Sequence, residues 1–327
     1  MRYCVYGLGA IGGQLAARLA AGGSDVVGVA RQGTCEAVRE RGLVLEAPDG
    51  STTAVPVEVA TSAAALPPAD VVVLAVKSTA LPAVVDDLER VVGPSTVVMT
   101  AMNGLPWWFT DGLDLRTEAT RAPLDERMGR VAPAAQVLGC AVHHSARVAA
   151  PGHVVRTSGN GLTLGPAGRG GAAEEAAAGV VQDLRAASYD VEQTDDVHQA
   201  VWYKLWGNLT INPVSLITRS PVDLVLDDPE TSAFVQSCMS EAQRVGDAVG
   251  LSIPSTPAER IALTRRLGSF TTSMHQDAVA GRPVELDSIL GATLRLARAA
   301  DVATPSLDAL LGLARLHARA HDLLPST

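Results

Sequence analysis

The sequence predicts an α/β protein in two parts, an N-terminal Rossmann-type doubly wound domain followed by an all-helical domain. Three observations lead there. Short apolar runs alternate with helical stretches through the first half, and a glycine-rich turn follows the first run. After Asp195-Asp196 the strand pattern stops while helical periodicity continues to the end. At 327 residues the chain can bury two cores, and the domains are expected at 1–194 and 195–327.

The elements follow in order. Residues 3–6, 26–30, 71–76 and 97–102 are apolar runs of strand length, as expected of parallel strands buried on both faces. Residues 11–21 and 81–92, between them, carry helical spacing. From 107 to 133 the pattern weakens into an irregular, charged excursion. Residues 137–143, 154–156 and 162–164 resume as short strands, 168–178 open another helix, and 191–194 close the α/β part. Beyond it, Pro221, Pro229, Pro254, Pro257, Pro283 and Pro305 punctuate helices, with no convincing strand.

Composition excludes several classes of function. A chain 47% hydrophobic and 19% charged is neither a disordered tail nor a fibrous repeat, and no apolar run approaches membrane-spanning length. A net charge of -9 offers no broad field to nucleic acid or to an anionic membrane, so an anionic ligand must be held by a few placed cations. Cys4, Cys35, Cys140 and Cys238 lie far apart with no paired spacing, and no charged-then-apolar leader opens the chain. A reducing, cytoplasmic setting is expected.

The glycine turn reads Gly7-Leu8-Gly9-Ala10-Ile11-Gly12, directly after a strand and at the start of a helix. In a GxGxxG turn the first glycine permits the tight bend, the second lets backbone approach a pyrophosphate, and the third allows close helix packing. With a second strand about 20 residues on, this context points to a dinucleotide rather than to a bare turn. Cofactor choice falls at the end of that second strand. An acidic residue there would bind ribose hydroxyls, but the chain reads Val29-Ala30-Arg31-Gln32, and an arginine favours the 2′-phosphate of NADP(H). Lys77 follows the third strand run and Asn103-Gly104 follows the next, both at strand ends that line a ligand crevice. Asn103-Gly104 also fits a plain turn.

Of the 26 basic residues only Lys77 and Lys204 are lysine, so arginine serves wherever a positive charge is merely useful. Lysine is worth keeping where an ammonium must give up its proton. Lys204, Asn208 and Asn212 stand at i, i+4 and i+8, on one face of a helix otherwise carrying Trp202, Leu205, Trp206, Leu209 and Ile211. Asparagine is a poor helix former, so this polar stripe suits a ligand with carbonyl and carboxylate oxygens better than it suits solvent. Further on, Ser273 and Glu285 lie in Ser273-Met274-His275-Gln276-Asp277 and Gly281-Arg282-Pro283-Val284-Glu285. Glu285 alone would also serve as a first-turn acid after Pro283.

Together these segments resemble the ketopantoate reductase (2-dehydropantoate 2-reductase) family over nearly the whole chain. The Lys204/Asn208/Asn212-Pro213 helix and the 273–285 segment are the specific parts. The resemblance implies NADPH-dependent reduction of a 2-oxo acid to a 2-hydroxy acid, ketopantoate to pantoate foremost, with the active site between the domains. Lys204 would be the proton donor. Asn103, Asn208, Asn212 and Ser273 would hold the oxo acid, and Glu285 would orient the site and contact the cofactor. Gly7, Leu8, Gly9, Ala10, Ile11, Gly12, Arg31, Lys77 and Asn103 would contact NADPH, with no metal required. The partner implied is a small 2-oxo acid, with room for a homodimer. Alternatives are a reductase of another oxo acid or of an imine, and a non-catalytic NADPH sensor. Leu105-Pro106-Trp107-Trp108-Phe109 and the excursion after it depart from the family pattern. The tryptophans suggest a lid or a hydrophobic wall near substrate, or an aromatic anchor packing the loop on the sheet. His317 and His321 have the spacing of a metal pair but no third ligand, and are expected on a polar face. His143 and His144, adjacent on a strand, point opposite ways.

Overall fold

The computed structural model describes residues 1–113, 115 and 123–324. They form two compact units, Met1–Met102 with Ala122–Ala200, and Asn103–Arg121 with Val201–Thr327, so the segment that begins at Asn103 groups with the helices.

The first unit is built on a 10-stranded sheet. Its elements are β1 (Arg2–Tyr6), α1 (Ala10–Ala21), β2 (Asp25–Val29), α2 (Gln32–Arg41), β3 (Leu43–Glu46), β4 (Thr52–Val55), β5 (Glu58–Ala60), β6 (Val71–Leu74), α3 (Leu81–Val91), β7 (Val97–Thr100), α4 (Pro123–Val131), β8 (Val137–Ala150), β9 (His153–Pro166), α5 (Ala172–Ala186) and β10 (Asp190–Gln193). The strand order is β4-β3-β9-β8-β7-β6-β1-β2-β5, with β10 beside β9. From β5 across to β8 every pairing is parallel, in register Tyr3↔Val26, Tyr3↔Val71 and Val71↔Val97. Strands β1, β6 and β7 are buried almost throughout, as parallel strands covered on both faces must be.

The sheet is larger and more mixed than the sequence pattern indicates. β3 to β5 and α2 lie where no element was expected, and β8 against β9 is antiparallel. The runs 154–156 and 162–164 are parts of the single strand β9. His143 and His144 sit within β8, the first exposed and the second buried, where the register with β9 is irregular. Part of the charged excursion, residues 114 and 116–122, lies outside the described residues. The excursion also contains a helix, α4, where an irregular stretch was expected, and Arg127 there holds Glu89 at 2.6 Å and Asp86 at 2.5 Å, both on α3.

The second unit holds α6 (Val197–Thr218), α7 (Val222–Asp227), α8 (Pro229–Ala248), α9 (Pro257–Arg265), α10 (Ser273–Val279), a π-turn (Asp287–Gly291), α11 (Ala292–Ala299) and α12 (Pro305–Ala320). α6 belongs mainly here, its first residues, 197–200, falling in the first unit. Proline sets several starts, as at α8, α9 and α12, where its missing N–H costs nothing. Buried Glu241 on α8 accepts from Ser306 and Leu307 N–H, both at 2.9 Å, and so caps α12. No helix among the described residues is long and apolar enough to cross a membrane. All four cysteines are free and buried, and burial pushes the Cys4 and Cys238 thiols up to about 12, away from thiolate chemistry.

His317 on α12 and His321, the residue just past its end, stack with ring centroids 4.3 Å apart. Burial, then the nearby His321 and Arg219, hold His317 below the usual histidine range, and its Nε2 is buried. The unfolded chain therefore takes this proton more readily, and stability must fall as pH drops through the ordinary value of about 6.5. Going from about pH 7.5 to about pH 5.5 should lower the melting temperature less in His317→Gln than in wild type. Equal losses would contradict the assignment.

Candidate active site

The glycine turn joins β1 to α1. Gly7 has φ +90 and its N–H reaches the Val29 carbonyl at 2.9 Å, while a Cβ there would lie 2.8 Å from Val76 Cγ1. A Cβ on Gly12 would strike the Gly7 carbonyl oxygen and lie 2.8 Å from Ala75 Cβ, so the helix could not pack this closely with any other residue. Gly9 is different. It caps the N-terminus of α1 with nothing within 4 Å of a Cβ, and no side chain caps the helix. That leaves open backbone at a positive helix end, the arrangement a diphosphate requires. Leu8 packs over Gly28 of β2, while Ala10 and Ile11 begin the helix.

Arg31 follows β2, exposed, as the N-cap of α2, whose first turn carries no acid. A guanidinium beside a helix N-terminus is well made for a phosphate monoester. Lys77 begins the turn after β6, its ammonium buried. These residues fit a phosphorylated dinucleotide, and all stand in the first unit.

The second unit gathers the others. Lys204 Nζ donates to Asn103 Oδ1 at 3.0 Å. Asn208 is half-buried and Asn212 is 6% exposed. Trp202, Leu205, Trp206, Leu209 and Ile211 are all buried, so the polar stripe of α6 runs through an apolar setting. One turn beyond Asn212, Ser215 Oγ donates to the Asn212 carbonyl at 2.9 Å and lies 2.6 Å from Thr272 Oγ1. Thr272 in turn caps α10, accepting from His275 N–H at 3.2 Å, and Ser273 is the next residue. Ser273 is thereby tied to the helix of Lys204. Neither Ser215 nor Thr272 was singled out from the sequence, although Thr272 before a helix has the form of a cap.

Glu285 is 9% exposed. Its segment is fixed by the Arg282–Asp277 ion pair at 3.0 Å and by Val284 N–H donating to the Leu323 carbonyl at 2.9 Å. The π-turn follows immediately, and its Ser288 carbonyl accepts from Leu105 N–H at 2.9 Å, two residues past Asn103. Glu285, Asn103 and Lys204 thus share one connected structure, although no spacing in the sequence links them.

Trp107, Trp108 and Phe109 are buried. Trp108 and Phe109 have ring centroids 6.1 Å apart, and Phe109 lies 6.3 Å from Trp202 on α6. The aromatic segment packs against the lysine helix.

Comparison with known proteins gives the same outline. Residues 3–169 match the family model described as Ketopantoate reductase PanE/ApbA, and residues 196–318 match its C-terminal counterpart. A 2-dehydropantoate 2-reductase of Mesorhizobium japonicum is 36% identical over 96% of this chain and 97% of its own. A Ralstonia solanacearum protein of known structure is 39% identical with a TM-score of 0.89, covering 98% of this chain and 99% of that one. The 2-dehydropantoate 2-reductase structure from Methylococcus capsulatus is 26% identical with a TM-score of 0.82, covering 98% of each chain. The chain belongs to the ketopantoate reductase family of pyridine-nucleotide oxidoreductases.

Proposed function

We propose that this oxidoreductase reduces 2-dehydropantoate to pantoate with NADPH, and that Lys204 is its acid. The observation that carries this is the 3.0 Å hydrogen bond from the Lys204 ammonium to Asn103, on an apolar helix that also presents Asn208 and Asn212. Gly7–Gly12 and Arg31 would hold NADPH, the arginine toward its 2′-phosphate, and the cofactor would supply a hydride for the ketone carbon of the oxo acid. The carbonyl electron pair withdraws onto oxygen, and the Lys204 ammonium stabilises that charge and then transfers its proton to it. The neutral amine recovers a proton from water. Asn103 commits one of the three N–H donors of Lys204 and so fixes where the nitrogen sits. Asn208, Asn212 and Ser273 hold the carboxylate and carbonyl oxygens, Glu285 orients the site, and Lys77 contacts the nucleotide.

The test is oxidation of NADPH across a panel of 2-oxo acids. Turnover is expected with ketopantoate. NADPH binding without oxidation on any member would refute the enzyme and favour a sensor. Cofactor choice has its own test. A charge-assisted contact is worth about 1.5–3 kcal/mol, so Arg31→Ala should weaken NADPH binding about 10- to 100-fold and leave NADH within about twofold. Equal losses for both cofactors would remove Arg31 from the 2′-phosphate.

A further inference from the structure

The loop that carries Asn103 is seated on the π-turn by main-chain contacts. Gly104 has φ +86, and a Cβ there would lie 2.5 Å from the Ser288 carbonyl oxygen and 2.6 Å from its carbon. Leu105 N–H donates to that same oxygen at 2.9 Å. Ser288 stands inside the turn Asp287–Gly291, where Ala292 N–H reaches back five residues to the Asp287 carbonyl. Such an insertion moves carbonyls off the α-helical ladder and is frequent at functional sites. The turn is braced. Asp287 takes two nitrogens of Arg295 at 2.9 and 3.1 Å, lying over Gly291, where a Cβ would strike the carboxylate.

We propose that Gly104 and the Ser288 carbonyl are positioning groups: they hold the Asn103 amide against the Lys204 ammonium, so that the π-turn beside Glu285 sets where the acid sits. The role given to Lys204 rests on the function proposed above. A plain Asn-Gly turn needs only the positive φ. Here the space for a side chain is absent as well, and the group that fills it is the carbonyl that binds Leu105. Residue 104 must therefore be glycine on two separate counts.

The experiment is a cycle of Gly104→Ala, Asn103→Ala and the double variant, with Lys204→Ala beside it. Each is measured for kcat, KM of the oxo acid and NADPH affinity. Displacing a positioned group by about an ångström costs up to about 100-fold, so Gly104→Ala should lower kcat about 10- to 100-fold, with NADPH affinity within about twofold. On the Asn103→Ala background the same change should cost less than about twofold, because effects that pass through one side chain do not multiply. Multiplying losses overturn the proposal, as does wild-type kcat in Gly104→Ala. Should Gly104→Ala not fold, Asp287→Ala makes the same comparison from a carboxylate that is 74% exposed. It should lower kcat about 3- to 10-fold, again only while Asn103 is present, and an independent loss overturns the proposal. Lys204→Ala separates the two claims. Retained turnover there sinks the proposed function and this inference with it. Lost turnover combined with multiplying losses at 103 and 104 sinks the positioning role alone.

Discussion

Lys204→Ala is expected to lower kcat by about 10³-fold or more while NADPH affinity stays within about twofold. A positioned general acid contributes about 10²- to 10⁴-fold, and loss of a donor to a developing oxyanion costs about 10²- to 10³-fold. One ammonium fills both roles, and a 10³-fold loss corresponds to about 4 kcal/mol of transition-state stabilisation. Lys204→Arg separates the roles. A guanidinium keeps the positive charge but cannot release a proton in a protein, and its planar fork does not reproduce a point donor to Asn103 Oδ1 at 3.0 Å. The arginine variant should recover part of the electrostatic effect and still turn over at least about 10²-fold more slowly than wild type. Steady-state oxidation of NADPH with ketopantoate, beside NADPH fluorescence titration of each variant, measures both quantities. Wild-type turnover in either variant would remove Lys204 from the chemistry. A parallel loss of NADPH affinity would mean that the lysine serves the nucleotide.

What the sequence disclosed of this arrangement follows from the range over which each signal acts. β1, β6 and β7 are legible because a strand covered on both faces must be apolar at every position. β3 and β4 are not, since three residues of each are half-exposed or exposed and their composition resembles that of a loop. β8 and β9 surfaced only as fragments because their outer portions leave the core and lose apolar patterning there. The same division runs through the site. Lys204, Asn208 and Asn212 declare themselves by helical period, and Gly7, Gly9 and Gly12 by the conformations they permit. Ser215 against Thr272, and Gly104 against Ser288, are contacts between residues 57 and 184 positions apart, one of them made through backbone. Backbone contacts leave no residue type to read. The aromatic segment was legible as an anomaly but not in its partner, because burial of Trp108 and Phe109 depends on where α6 lies.

That partner determines what a truncation at Trp108 should do. Trp108 and Phe109 are fully buried, the Phe109 ring lies 6.3 Å from Trp202, and Trp202 Nε1 occupies the space a Cβ on Gly246 would need. The aromatics thus lock the chain after Asn103 to α6, and α6 to α8. Removing a buried tryptophan leaves a cavity that a closely packed helical unit cannot fill, at a cost of about 3–5 kcal/mol. At about 2–4 °C per kcal/mol, Trp108→Ala should lower the melting temperature by roughly 6–20 °C, and Trp108→Phe by much less. Kinetics then distinguish an anchor from a wall of the substrate site. If Trp108 only anchors, KM for ketopantoate in Trp108→Ala, assayed well below its melting temperature, stays within about twofold of wild type. A wall that touches the oxo acid would lose apolar contact, and each buried methylene is worth about 0.8 kcal/mol, so KM would rise at least about fourfold with little change in melting temperature. The packing of Phe109 beside Trp202 of α6 favours the first outcome. A raised KM without destabilisation would show that this segment had been assigned to the wrong side of the lysine helix.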